Sequence, residues 1–387
     1  MSATERLYYT DCYLSGFRAS ITERSADGCR VYLDRTAFYP ASGGQPNDLG
    51  TLAGQNVLDV QDEDGRIAHI LAAPVEAAQV EGTVDWPRRY DHMQQHTGQH
   101  LLSAVLVELF GFQTVSFHMG IEVSTIELRT SEFTERHAEQ AEERANQLVR
   151  EARPVRIEFE SADAVEGLRK PSQRSGTLRI IEIEGIDRSA CGGTHVLSTA
   201  EVGPIQIRRQ EKLRGNIRIE FVCGSRAVRR ARQDFRIALE LARHAAAPID
   251  TLPEHYANLR HRLAEAGKER QRLAMELAKQ EGAVLYAETP AGPDGLRRRV
   301  LQVPRIDESV RAKAQAFTAG GRSVLLIIGT EQGNVLLGCA SDSGLNAGAI
   351  LKQALSGAGG RGGGSATLAQ GTLPEPAIVA LKQQLGL

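Results

Sequence analysis

The chain has 387 residues, too many for one ordinary hydrophobic core, so two or three domains are expected. A net charge of -2 and a pI near 6.6 exclude a globally basic nucleic-acid coat, and any contact with a polyanion must be local. Five cysteines, scattered without a pairing pattern, point to a reducing compartment and hence the cytoplasm; no segment is apolar for long enough to span a bilayer, and Met1 to Arg6 carries no export signal.

Residues 1–87 read as short strands at 14–21, 29–33, 57–61, 67–71 and 79–84, separated by Asp-Gly, Gly-Gly and Pro-containing turns, which predicts a small β-barrel. Between them, Ala41-Ser42-Gly43-Gly44-Gln45-Pro46 is a glycine-rich loop, by composition a hairpin turn. A helix begins at or just before Asp91 and runs to Leu109, because Leu101, Leu102, Val105, Leu106 and Leu109 recur at helical spacing and Gly111 can close it. His118 follows in a strand-like stretch, either as a partly buried structural histidine or as a group near a site. Residues 134–152 form a charged amphipathic helix, and 179–184 alternate as a strand.

Residues 205–236 hold ten Lys/Arg against three acids, a surplus of seven positive charges. That run is either a solvated face or a phosphate track. Residues 252–277 place Leu252, Tyr256, Leu259, Leu263, Ala266, Leu273 and Leu277 on a heptad register, which predicts a helical hairpin or short coiled coil, within one chain or between two. After Pro290, strands at 324–328 and 335–338 and a helix over 346–355 predict a further α/β unit. It ends in a glycine-rich run, 357–365, that composition alone reads as a linker.

The stretch that carries chemistry is His96-Thr97-Gly98-Gln99-His100, whose two imidazoles share one helix face. Cys191-Gly192-Gly193-Thr194-His195 repeats that spacing behind two turn-forming glycines. Three imidazoles and a thiolate suit zinc. A zinc protease is disfavoured because the position after the first His is Thr97, where H-E-x-x-H requires Glu.

The pair H-x-x-x-H and C-x-x-x-H, with the second reading CGGTH, resembles the editing domain of alanyl-tRNA synthetase and its free-standing relatives, the alanyl-tRNA editing proteins. Phe38-Tyr39-Pro40-Ala41-Ser42-Gly43-Gly44-Gln45-Pro46, Thr114-Val115-Ser116-Phe117-His118 and Arg218-Ile219-Glu220-Phe221-Val222 resemble that family in order and separation. Ser42 stands where the family has the first of three glycines. Asn346-Ala347-Gly348, the glycine-rich run and Ala369-Gln370-Gly371 resemble the DHHA1 domain of alanyl-tRNA synthetases, without its phosphoesterase relatives' Asp-His-His motif.

The resemblance implies a multidomain α+β and α/β chain: a glycine-motif β-barrel over 1–87, a zinc-dependent editing core over 88–240, a helical linker or coiled coil over 241–285 and a DHHA1-like tRNA-binding domain over 286–387. It implies a zinc-dependent deacylase acting in trans on tRNA(Ala) mischarged with serine or glycine, with Zn2+ on His96, His100, Cys191 and His195. Thr36, Gln45, His118 and Arg218 would contact the substrate. Arg208, Arg209, Lys212, Arg214, Gly362, Gly363 and Gly364 would contact nucleic acid. The partner would be aminoacylated tRNA(Ala), with no membrane; the helical linker and C-terminal domain leave a homodimer open, and the sequence does not choose between it and pairing within one chain. Two rivals remain, a non-catalytic zinc-stabilised tRNA-binding module and an editor of Ser-tRNA(Thr).

Overall fold

The computed structural model describes residues 3–387 other than Gln332 and Gly359, so Gly359 of the glycine-rich tail lies outside the described residues. The first strands are β1 (Glu5–Arg6), β2 (Gly16–Arg24), β3 (Arg30–Leu33), β4 (Arg35–Thr36), β5 (Gly50–Leu52), β6 (Gln55–Glu63), β7 (Arg66–Leu71) and β8 (Gln79–Val84). β1 pairs with β4, and the other six close in the order β2-β3-β7-β6-β5-β8. Period-two patterning drives this closure: in β8, Val80, Gly82 and Val84 are buried and the residues between them exposed. Val31, Leu33, Leu52, Val60 and Ile67 meet them in a core of their own.

Helix α1 (Trp86–Phe110) leaves the barrel through an Asp85 N-cap, with Pro in its first turn, and ends at Gly111 in the left-handed conformation, φ 70°. Around it lie β9 (Thr114–Met119), β10 (Ser124–Leu128), helix α2 (Glu135–Arg150), β11 (Val155–Ser161), β12 (Thr177–Ile183), β13 (Asp187–Ala190), β14 (Ile205–Leu213) and β15 (Asn216–Cys223). They form two antiparallel sheets, β14-β15-β10-β9 and β11-β12-β13. Leu101, Leu102, Val105 and Leu106 of α1 share one core with Ile126, Leu148, Ile181, Ile219 and Phe221. α1 is therefore a central helix, buried on nearly every side over residues 92–106. Helix α3 (Gly224–Ala245) follows, and the chain divides into two compact units, Met1–Glu240 and Leu241–Leu387.

In the second unit the 252–277 heptad pattern is part of one uninterrupted helix, α4 (Leu252–Glu288), rather than a hairpin. Gly267 does not break it, since a lone helical glycine costs only about 1 kcal/mol and no second turn residue accompanies it. The predicted seam is exposed at Tyr256, Leu259, Leu263, Leu273 and Leu277. The unit continues with β16 (Arg297–Val303), helix α5 (Glu308–Thr318), β17 (Ser323–Gly329), β18 (Asn334–Cys339), helix α6 (Ala347–Ala358), β19 (Arg361–Gly364), β20 (Leu368–Thr372) and helix α7 (Glu375–Leu385). Its sheet has the order β16-β17-β18-β20-β19. Val324, Leu326 and Ile328 pack with α6 and α7, while Leu325 and Ile327 pack with Phe317 of α5 and Leu285 of α4, so both sheet faces are covered. No helix among the described residues is long and apolar enough to cross a membrane.

Candidate metal centre and active site

His96 and His100 lie one helical turn apart on α1 with ring centroids 5.4 Å apart. The turn after β13 brings Cys191 and His195 against them, and the His195 ring sits 4.5 Å from His96 and 4.8 Å from His100. Donor atoms of the four side chains all lie within 4.8 Å of one another. The Cys191 Sγ is 3.5 Å from Nε2 of both His96 and His195. Bond lengths of about 2.3 Å to sulfur and about 2.0 Å to nitrogen in a tetrahedron set that edge at about 3.5 Å, so the donor set fits zinc. Gly193 is required here, because a Cβ in its place would lie 2.2 Å from His96 Cε1.

The opposite nitrogen of each imidazole is engaged. His96 Nδ1 donates to Gln45 Oε1 at 2.7 Å, His195 Nδ1 meets Thr97 Oγ1 at 3.1 Å, and His100 Nδ1 donates to Asp187 Oδ2 at 2.8 Å. These bonds select the tautomer whose remaining nitrogen faces the centre. Each prop is itself braced. Gln45 donates to Thr194 Oγ1 and accepts from Thr194 N; Thr97 accepts from Val196 N; Asp187 accepts from Arg169 Nε at 2.6 Å and from Ser189 Oγ.

Charge follows geometry. Burial would push the Cys191 thiol up, but the surrounding imidazoles, His96 foremost, hold it well below the usual thiol range. That shift favours the thiolate, the form that binds metal. Burial pulls His100 down, yet its bond to Asp187 and the adjacent sulfur raise it to about 9 without metal, so a metal entering the site would displace the proton from the His100 nitrogen that faces the centre. Burial takes His195 to about 3. Asp187, which burial would raise, is brought to about 2 by His100 and Arg169.

The cluster opens through His96, His100 and Cys191 into a cavity of about 510 Å3, walled by Tyr39, Pro40, Ser42 and Gly43 on the barrel side and Phe117 and Arg169 opposite. Gly43 and Gly44 have φ of 59° and 86°, and Ser42 and Gln45 exchange backbone hydrogen bonds across them. The loop is thus a two-residue turn in which only those two positions need the left-handed region, which explains why Ser42 is accommodated before them.

Gln45 is buried behind His96 and does not line the cavity. Thr36 is also fully buried, its hydroxyl 2.8 Å from His69 Nε2 and accepting from Phe38 N. His118 is exposed on β9, and Arg218 is exposed on β15 beside Glu127 and Glu211. Arg209, Lys212 and Arg214 are exposed along the β14–β15 hairpin, whereas Arg208 is paired with Asp234. Gly362, Gly363 and Gly364 lie exposed on β19, an edge strand. Sequence reasoning missed Asp187, Arg169 and the role of Thr97. An acidic residue four positions before Cys191 was the available signal for the first.

Residues 178–220 match the family model described as the threonyl and alanyl tRNA synthetase second additional domain, and residues 313–385 match the DHHA1 domain. The alanyl-tRNA editing protein AlaX-L of Pyrococcus horikoshii is 32% identical over 394 residues, which cover 95% of this chain and 94% of that protein. The chain belongs to the alanyl-tRNA editing protein family. Another member, the alanyl-tRNA editing protein Aarsd1 of Danio rerio, is 34% identical over 252 residues, 60% of this chain and 61% of that one. The alanine–tRNA ligase of Pyrococcus abyssi is 30% identical over 398 residues, 96% of this chain but 42% of the ligase. This editing-family chain thus spans less than half the length of the ligase it matches.

Proposed function

We propose that this chain is a trans-acting, zinc-dependent hydrolase that removes serine, and glycine, from mischarged tRNA(Ala). The observation that carries the reading is the four-donor cluster opening into a cavity, each imidazole held from behind so that its free nitrogen faces the centre. The match to the AlaX-L editing protein over nearly its whole length speaks for editing of alanine tRNA over threonine tRNA, since the domain family model by itself is shared by both synthetases. A cavity beside the donors speaks for turnover over a purely structural centre.

Zinc held by His96, His100, Cys191 and His195 would supply Lewis acidity toward the ester carbonyl or the attacking water. The protein does the rest. Gln45, Thr97 and Asp187 fix the imidazoles, and Tyr39, Pro40 and Phe117 shape the wall against which the aminoacyl group lies. Thr36 acts through the wall: it holds Phe38 N, one residue before Tyr39, and so sets the barrel side of the pocket. Arg209, Lys212 and Arg214, and separately the β19 glycines, would give tRNA phosphates places to dock.

Deacylation of seryl-, glycyl- and alanyl-tRNA(Ala) by the full chain, with and without chelator, tests this. Chelator-sensitive hydrolysis of the seryl and glycyl esters, with the alanyl ester spared, is expected. Tight binding of tRNA without turnover of any of the three would sink the reading and leave the binding module.

A further inference from the structure

A second cleft, of about 300 Å3, adjoins the first. Tyr9, Arg174, Ala190, Cys191 and Gly192 line both, so the turn that carries the candidate metal-binding sulfur is the partition between them. Gly192 of that turn faces the Tyr9 hydroxyl, which a Cβ in its place would meet at 3.4 Å, an ordinary contact.

The second cleft has the makings of a stacking site. Phe159, on β11, is 50% exposed, a large aromatic left open on a strand otherwise paired along its length with β12. Tyr9 lines the same cleft, and the Arg179 guanidinium lies 5.3 Å from its ring centroid. Arg179 also donates to the carbonyls of Tyr9, Cys191 and Gly193 at 2.9, 2.7 and 2.9 Å, so one buried side chain locks the aromatic wall to the ligand-bearing turn. At the shared mouth Arg174 is exposed, and its guanidinium has no carboxylate partner among the described residues.

We propose that this cleft is a nucleobase subsite: the terminal adenine of the acceptor strand stacks on Phe159 against Tyr9, Arg174 meets the adjoining phosphodiester, and the ribose-linked ester crosses Gly192 toward the four-donor cluster. This rests on the editing reading above. An aromatic face beside an unpaired cation is the chemistry that binds single-stranded nucleotides without reading their sequence. Its position next to Cys191 makes it the site for the nucleotide that bears the ester.

The test uses the full-length protein and two non-hydrolysable probes, a 3′-serylamino-3′-deoxyadenosine and the same serylamino sugar without its base. Stacking on one aromatic predicts that Phe159→Ala weakens the adenosine probe by roughly 5- to 150-fold. The baseless probe should bind both proteins alike, and Phe159→Trp should restore the adenosine probe. Metal content and unfolding midpoint should not change, since the side chain is half exposed. Equal losses on both probes, or no loss on either, would overturn the subsite while wild-type hydrolysis of seryl-tRNA(Ala) left the editing reading standing. A wild-type chain that binds neither probe and deacylates nothing would overturn both.

Discussion

Arg89 is the largest of the fully buried side chains, three residues into α1, and its removal should do more damage than the loss of any exposed charge. Its guanidinium grips the Asp48 carboxylate through Nε, at 3.0 and 3.1 Å, and Nη2, and donates to the carbonyls of Cys12 and Ala37 at 2.9 and 2.5 Å. One side chain thereby ties α1 to the amino-terminal segment, to the residue between β4 and the pocket wall, and to the chain just after the glycine-rich turn. Arg89→Met keeps the bulk but leaves a carboxylate whose side chain is 1% exposed without its counter-ion. Breaking a buried pair from one side costs about 3–5 kcal/mol, so a loss of about 4 kcal/mol is expected, close to three orders of magnitude in the unfolding constant. Trp86 is the single tryptophan and begins the same helix, its ring 5.4 Å from Tyr13 and 5.7 Å from Tyr90, so urea unfolding followed by its fluorescence reports this unit. Arg89→Met with Asp48→Asn should recover much of the loss, because the uncompensated charge goes with the partner. A single variant that loses less than about 1 kcal/mol, the range of exposed pairs, would refute the reasoning. So would a double variant no better than the single.

Zinc should be present at one ion per chain, and elemental analysis of the His100→Ala, Cys191→Ala double variant should find none; unchanged stoichiometry would exclude this centre. Asp187→Asn should weaken metal affinity roughly 10- to 100-fold in chelator competition, as loss of a carboxylate behind a ligating imidazole does, and full affinity would show that the bond to His100 does not matter. His69 is completely buried, which takes its pKa from 6.5 down to about 4. The unfolded chain then takes up a proton below pH 6.5 that the folded chain refuses until about pH 4, so stability is full above 6.5 and falls as pH drops between those values. About 2 kcal/mol should be lost between pH 7 and pH 5, and a His69→Gln variant with the same pH slope as wild type would contradict it. Replacing Arg209, Lys212 and Arg214 with Ala should weaken tRNA binding and flatten its dependence on salt by roughly 0.7–0.9 per lost phosphate contact; an unchanged slope would remove the hairpin from the interface.

The convergence of the four donors was legible because each pair is local: i, i+4 on a helix puts two rings on one face, and Cys-Gly-Gly before Thr-His folds a turn on itself. What stands behind the rings was not legible. Gln45 and Asp187 reach His96 and His100 across 51 and 87 residues, and no spacing rule spans such distances. Thr36 illustrates the same limit, since its place in the motif puts it near the pocket while its hydroxyl faces His69. In the fold, α1 was readable from its apolar period and Gly111, whereas the three residues of β5 were hidden at the end of a glycine-rich loop. The heptads over 252–277 reported a helical face and were silent on whether the helix turns back, and it does not.

The order in which the centre comes into being follows from where its parts sit along the chain. Synthesis releases the barrel and its Gln45 first and the two α1 imidazoles next; Cys191 arrives 95 residues after His96. Until then His96 and His100 form a two-nitrogen chelate open to any divalent ion. The sulfur and third imidazole that complete the four-donor set of the proposed zinc site join only when β13 and the turn after it have docked. A site that takes zinc as proposed would therefore acquire its selectivity only once Cys191 and His195 have joined the two α1 imidazoles.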